Sequence, residues 1–148
     1  MRLFYALICF LILTTCSKNS VNDENCQFLL EIGINETINL GLPEFGNLRT
    51  SPGAMLIPSA RNRGLIVSNT GNNNFVAFDA ADPNHIFNPS CSVLTVKGFT
   101  GVCGCEEKNE FELINGLPTK SNSDETSTRC GLRRYRVEKS GNSLIIFN

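Results

Sequence analysis

The chain has 148 residues, a formal net charge of -1 and a pI near 5.8, with 41% apolar and 18% charged side chains. That balance suits a folded chain with room for one domain, since single cores run to roughly 100–150 residues before chains divide. Lysine and arginine are spread along it with no basic footprint, so nucleic acid is excluded as an expected partner.

In chain order, the first segment reads as a targeting signal. Met1-Arg2 is a short positive n-region, and Leu3 to Leu13 is an apolar run of signal-peptide length, too short to span a bilayer comfortably. Leu13-Thr14-Thr15-Cys16 resembles the lipobox of bacterial lipoproteins, in which a Cys behind small residues is lipidated and becomes the new N-terminus; Thr15 departs from the commoner Gly or Ala. Residues 1–15 are therefore expected to be a lipoprotein signal peptide and Cys16 the lipid anchor. Residues 16–25, polar and poor in apolar side chains, are expected to be a flexible tether. The resemblance implies a bacterial cell-envelope protein, held to a membrane, periplasmic or in the outer-membrane leaflet, through its N-terminal lipid. An ordinary signal peptide would leave Cys16 incidental.

The domain is expected to span residues 26–148. Short runs rich in β-branched and aromatic residues follow one another: Phe28 to Ile32, Ala54 to Ile57, Gly64 to Val67, Phe75 to Phe78, Val93 to Val96, Phe111 to Leu113, Tyr135 to Glu138 and Leu144 to Phe147. Nearly all are bounded by Gly, Pro, Asn or Ser, the punctuation of strands. Thr70 to Asn74 and Ser140 to Asn142 are turns whose residues tolerate positive φ, as is Ile114-Asn115-Gly116. The polar stretch Ser121 to Thr128 reads as a loop. No segment after residue 25 offers three turns of helical apolar spacing, so an all-β sandwich or barrel is predicted.

Cysteine use adds a constraint. Of seven cysteines, Cys9 leaves with the signal and Cys16 carries lipid, so Cys26, Cys91, Cys103, Cys105 and Cys130 remain in a compartment that permits disulfides. The remainder is odd, so at least one thiol is free, metal-bound or intermolecular if the others pair. Asp82-Pro83-Asn84-His85, with Cys91 a little later, and Cys103-Gly104-Cys105-Glu106 bring together the single His and three of these cysteines. Asp82, His85, Cys91, Cys103 and Cys105 include every ligand type zinc accepts, although no C-x-x-C spacing is present. A Cys103 nucleophile with His85 as base requires only that the two meet in space. Glu106 to Glu110 reads as a solvated hairpin tip, and Arg133 to Arg136 as a charged sheet edge.

The order of these elements is similar to the Rieske family. Phe75-Val76-Ala77-Phe78-Asp79, the Asp82 loop, Val102-Cys103-Gly104-Cys105, Phe111-Glu112-Leu113-Ile114-Asn115-Gly116 and Leu132-Arg133-Arg134-Tyr135-Arg136-Val137 match its sequence of strand, C-x-H, C-P-C-H-G-S or C-x-x-H-G, Phe-Asp-Leu, Gly turn and Leu-x-x-Tyr-x-Val. Asn39 to Leu48 and Ser51-Pro52-Gly53 resemble a stretch of small Rieske-like lipoproteins of Bacteroidetes. The resemblance covers residues 26 to 148 and implies an all-β, Rieske-like fold with a small subdomain bearing two cluster-binding-type loops. A Rieske centre binds one iron through two Cys and the other through two His. Here Asp82 stands at the first Cys position, Asn84 at the first His position with His85 one place later, Cys103 at the second Cys position, and Glu106 at the second His position. With one His in the chain, the standard set cannot be completed.

In respiratory Rieske proteins a disulfide joins the two loops, and Cys91 and Cys105 lie at comparable places, which implies that they are bonded. Cys103 and Cys105 are too close on one strand to pair without strain, so Cys103 is expected to pair with Cys26 or Cys130. The expectation is a degenerate, cluster-free domain acting as a non-catalytic binding or structural module for an envelope protein partner, without cofactor. The alternatives are a 2Fe-2S electron-transfer protein with atypical ligands and a structural zinc site.

Overall fold

A computed structural model of the chain describes residues 26, 28–29, 32–50, 52–59, 63–120 and 130–148. The signal peptide, Cys16, the tether and the Ser121–Thr128 loop lie outside the described residues. Strands β1 (Asn35–Asn39), β2 (Gly53–Ile57), β3 (Leu65–Gly71), β4 (Asn74–Asp79), β9 (Arg134–Ser140) and β10 (Ser143–Phe147) form one antiparallel sheet in the order β1-β10-β9-β4-β3-β2. Between β4 and β9 the chain builds a second antiparallel sheet from β5 (Thr95–Lys97), β6 (Thr100–Val102), β7 (Glu110–Glu112) and β8 (Pro118–Lys120), in sequential order. The domain is all-β, with a smaller two-loop subdomain inserted into a larger sheet. No helix among the described residues is long and apolar enough to cross a membrane.

Strands β3 and β4 explain how the two parts adhere. Side chains alternate across a sheet, and here both faces are covered. Leu65, Val67, Phe75 and Ala77 pack with Ile38, Leu48, Tyr135, Leu144 and Ile146 in one core. Ile66, Val76 and Phe78 face the other way, onto Leu94, Cys103, Phe111, Leu113 and Leu132 of the inserted part. Continuous apolar runs in these strands follow from that double burial. Phe78 and Phe111 are fully buried, each contributing about 1.5–3 kcal/mol through area removed from water. The β3–β4 turn is closed by Asn72 (φ 51°) and Asn73 (φ 58°), the left-handed pair that a two-residue hairpin loop requires.

Three local readings change. Phe28, Leu29 and Ile32 are not in a strand; the first strand is Asn35–Asn39, an edge with only Ile38 buried. A 3-10 turn at Pro43–Phe45 runs into a one-turn helix, Gly46–Thr50, that buries Leu48 alone, too short to leave a periodic signal. Strand β9 lies between β10 and β4, so its arginines do not guard an edge; Tyr135 points into the core while Arg134 and Arg136 are exposed.

Gly116 locks the inserted sheet to the larger one. Its φ is +79°, and a Cβ there would stand 2.6 Å from Cε1 of Phe78. Its carbonyl accepts a hydrogen bond from the amide of Leu132 (2.8 Å), which brings Cys130 back beside the first loop.

Candidate functional site

Both loops leave the ends of short strands and meet edge to edge. The first follows β4 and carries Asp82, Asn84, His85 and Cys91; the second links β6 to β7 and carries Cys103, Cys105 and Glu106. A backbone bond joins the two, from Gly104 N–H to the carbonyl of Cys91 (2.9 Å), and another closes the first on itself, from Asp82 N–H to the carbonyl of Ser92 (3.0 Å). A Cβ on Gly104 would lie 3.1 Å from the Cys91 carbonyl oxygen, so the approach is close.

Cys91 and Cys105 are joined by a disulfide across the loops, and Cys26 is joined to Cys130. Cys103, expected to pair with Cys26 or Cys130, is instead a free thiol, 1% exposed. Cys26 and Cys130 are taken up by each other, and Cys103 is buried in the cluster that holds Phe111 and Leu94.

His85 reaches this thiol despite standing one place beyond the expected position. Its Nδ1 lies 2.9 Å from the carbonyl of Ile86, and a carbonyl can only accept, so Nδ1 carries the proton. The other ring nitrogen, Nε2, lies 3.3 Å from Sγ of Cys103 and 3.4 Å from Oδ2 of Asp82. Fixing one ring nitrogen on a backbone carbonyl while the other is presented is how ligating histidines are oriented. Donor atoms of His85, Cys103 and Cys105 all lie within 4.8 Å of one another.

Asp82 occupies the first loop's Cys position as a buried carboxylate, 1% exposed. Burial of a charge is tolerable only with partners, and it has them. Oδ1 accepts from the backbone amide of Asn84 (2.9 Å) and from its Nδ2 (3.1 Å); Oδ2 accepts from Nδ2 of Asn109 (2.8 Å). Asn84, at the expected His position, is a clamp: its Oδ1 accepts from Cys130 N–H (2.9 Å) and its Nδ2 donates to the Cys130 carbonyl (3.1 Å). Glu106 is exposed and stands apart from the converging donors.

Asn109 and Ser92 are parts of the site that the sequence did not single out. Asn109 is 1% exposed, although it sits in a run of charges read as a solvated tip. The turn at Lys108 (φ 50°) folds it under the loop. Ser92 is fully buried; its hydroxyl accepts from Asn88 N–H (2.7 Å) and lies 3.8 Å from Sγ of Cys105.

Burial pushes the Cys103 thiol up to about 12, an effect that the nearby Asp82 charge adds to and the Cys105 amide offsets. A thiol held protonated and shielded from solvent lacks the thiolate character of an activated nucleophile. A metal ion reverses that logic, because a coordinating thiol is deprotonated outright. The standard Rieske set of two Cys and two His does not fit these loops, which hold the chain's one His.

The expectation of a cluster-free, non-catalytic module without cofactor is corrected by this geometry. Loops kept only as a surface would not need an imidazole, a buried thiol and a second sulfur converging on one point.

No protein-family model matches the chain, and no curated protein matches it. Among solved structures, the chain is similar to one in the complex of reduced oxygenase and oxidized ferredoxin in carbazole 1,9a-dioxygenase, at 17% identity and a TM-score of 0.44, covering 66% of this chain and 82% of that one. It is also similar to the ferredoxin of carbazole 1,9a-dioxygenase from Nocardioides aromaticivorans IC177, at 14% identity and a TM-score of 0.41, covering 65% of this chain and 86% of that one.

Proposed function

We propose that the chain is an electron-transfer metalloprotein whose two loops hold an atypical iron centre, with His85 and Cys103 as ligands and the Cys105 sulfur, disulfide-bonded to Cys91, beside them. The observation that carries this reading is the convergence of the three donors within 4.8 Å where the loops meet. The separations of 3.3 Å and 3.4 Å around His85 Nε2 support a metal ion. They fall near the edge of a coordination tetrahedron with bonds of about 2.0–2.3 Å, roughly 3.3–3.8 Å. Bound iron supplies a one-electron couple. The protein's part is to exclude water through the buried Cys103, to fix the His85 ring on the Ile86 carbonyl, and to hold Asp82 as a compensating negative charge.

The colinear motif order and the inserted two-loop subdomain support the electron-transfer class. Its partner is then a redox protein that approaches over the loops, where Ile86, next to His85, is 77% exposed. The apolar run Leu3 to Leu13 and Cys16 support export and anchoring in a bacterial envelope as part of the same proposal; mass spectrometry of the N-terminal peptide from envelope fractions tests it.

Anaerobic purification with iron and sulfide analysis tests the centre. The expected result is coloured protein containing iron, with a spectrum lost in His85→Ala and Cys103→Ser. The tetrahedral spacing equally suits one zinc ion, and colourless protein with zinc near one per chain would select that reading. Protein that takes up neither metal would overturn both.

A further inference from the structure

The Cys91–Cys105 disulfide stands inside the donor cluster, and this suggests a control that the ligand set alone does not. We propose that metal binding is gated by the redox state of this disulfide: oxidised, it withholds Cys105 from the site; reduced, it delivers a thiolate to His85 and Cys103. The inference rests on the metal-site reading above.

Thiolate, not disulfide sulfur, is the effective ligand. In the bonded form Cys105 Sγ is spent on Cys91, leaving the site the imidazole of His85, the thiol of Cys103 and the Asp82 carboxylate. The sulfur is nonetheless already close, within 4.8 Å of the donor atoms of His85 and Cys103.

Opening the bridge leaves the loops docked. Gly104 N–H still bonds the Cys91 carbonyl (2.9 Å), Cys103 N–H that of Asn109 (2.9 Å), and Asn109 Nδ2 still donates to Asp82 (2.8 Å). The freed thiol therefore stays beside its co-ligands without reorganisation, and pre-ordered donors bind with less entropic cost.

The reductant is a dithiol, small or protein-borne. One of its thiolates attacks Sγ of Cys91, forming a mixed disulfide and releasing Cys105 as thiolate. Its second thiolate then displaces Cys91, and the reductant leaves as a disulfide with the two electrons accounted for. Each released thiolate takes a proton, and Cys105 gives its proton up again on binding metal.

Titration with cobalt(II) alone, followed by thiolate charge-transfer absorbance, tests the proposal on full-length chain. Wild type is compared in oxidised form and after mild dithiothreitol treatment that mass mapping shows to open only Cys91–Cys105. Cobalt is expected to bind the reduced form on the order of 100-fold more tightly, the upper range for loss of even an outer partner at a metal site. Cys91→Ser is expected to bind as tightly without reductant, and Cys105→Ser to show no gain on reduction. Equal, tight binding by oxidised and reduced wild type would overturn the gate and leave the metal site standing. No binding by reduced wild type or by Cys91→Ser would overturn the metal site itself. A gain on reduction that survives Cys105→Ser would overturn the assignment to Cys105, and it needs no folded Cys91→Ser protein to be read.

Discussion

Asn84 and Cys130, 46 residues apart, bond each other in both directions: the Asn84 side chain accepts from the Cys130 amide at 2.9 Å and donates to its carbonyl at 3.1 Å. The same side chain also donates to Asp82, so one amide ties the first loop, the returning chain and the buried carboxylate together.

Asn84→Ala should therefore cost about 2–4 kcal/mol, because it strands a backbone donor and acceptor and one partner of a buried charge. Urea unfolding of the metal-free protein reads this directly. Asn84→His, which restores the residue type usual at that place in Rieske proteins, should destabilise by a similar amount; a variant as stable as wild type would mean the clamp carries no weight.

Asp82→Ala removes a carboxylate that satisfies two asparagine side chains, and a loss of about 2–4 kcal/mol is expected. Asp82→Asn keeps the shape and loses the charge. It should retain more of the stability yet weaken cobalt binding, a split that separates the structural from the electrostatic role.

The Cys103 thiol gives a signed pH dependence. Its folded value of about 12 lies above the ordinary 9.0, so the native state holds the proton more tightly than the unfolded state. Stability from this source is full below pH 9 and declines as pH rises from 9 toward 12, with a slope approaching about 1.4 kcal/mol per pH unit. Denaturant midpoints of metal-free wild type and Cys103→Ala across that range measure it. The alanine variant should lack the Cys103 share of the decline.

Gly116→Ala should be among the more damaging small substitutions, at about 2–4 kcal/mol. It combines a φ of +79° with a Cβ placed 2.6 Å from the Phe78 ring, which is fully buried and cannot yield. Thermal unfolding of the variant is the check, with loss of cobalt affinity expected alongside because Leu132 and Cys130 lose their anchor.

The clearest strands in the sequence are those with several buried β-branched or aromatic residues between turn formers, as in Leu65–Gly71 and Asn74–Asp79. Asn35–Asn39 escaped because an edge strand with one buried residue has almost no alternation to read. Thr100–Val102 and Pro118–Lys120 are too short to carry a pattern at all. At the site, residue types were readable and proximity was not. That His85 meets Cys103 depends on a ring turned by the Ile86 carbonyl, and that Asn109 is buried depends on a left-handed Lys108 amid charges that suggest solvent. Side-chain direction within a loop leaves no periodic trace in sequence.

The Cys26–Cys130 bond joins residues 104 apart and so changes how the domain bears tension. Force entering along the chain ahead of Cys26 passes across the bridge to Cys130 instead of peeling β1 from β10. What can be drawn out between the two ends shrinks to the stretch from Gly131 onward, essentially the β9–β10 hairpin. The loops that carry His85 and Cys103 lie inside the covalent ring and are shielded from that pull, so a chain held at its leading end could be tugged without unseating its site.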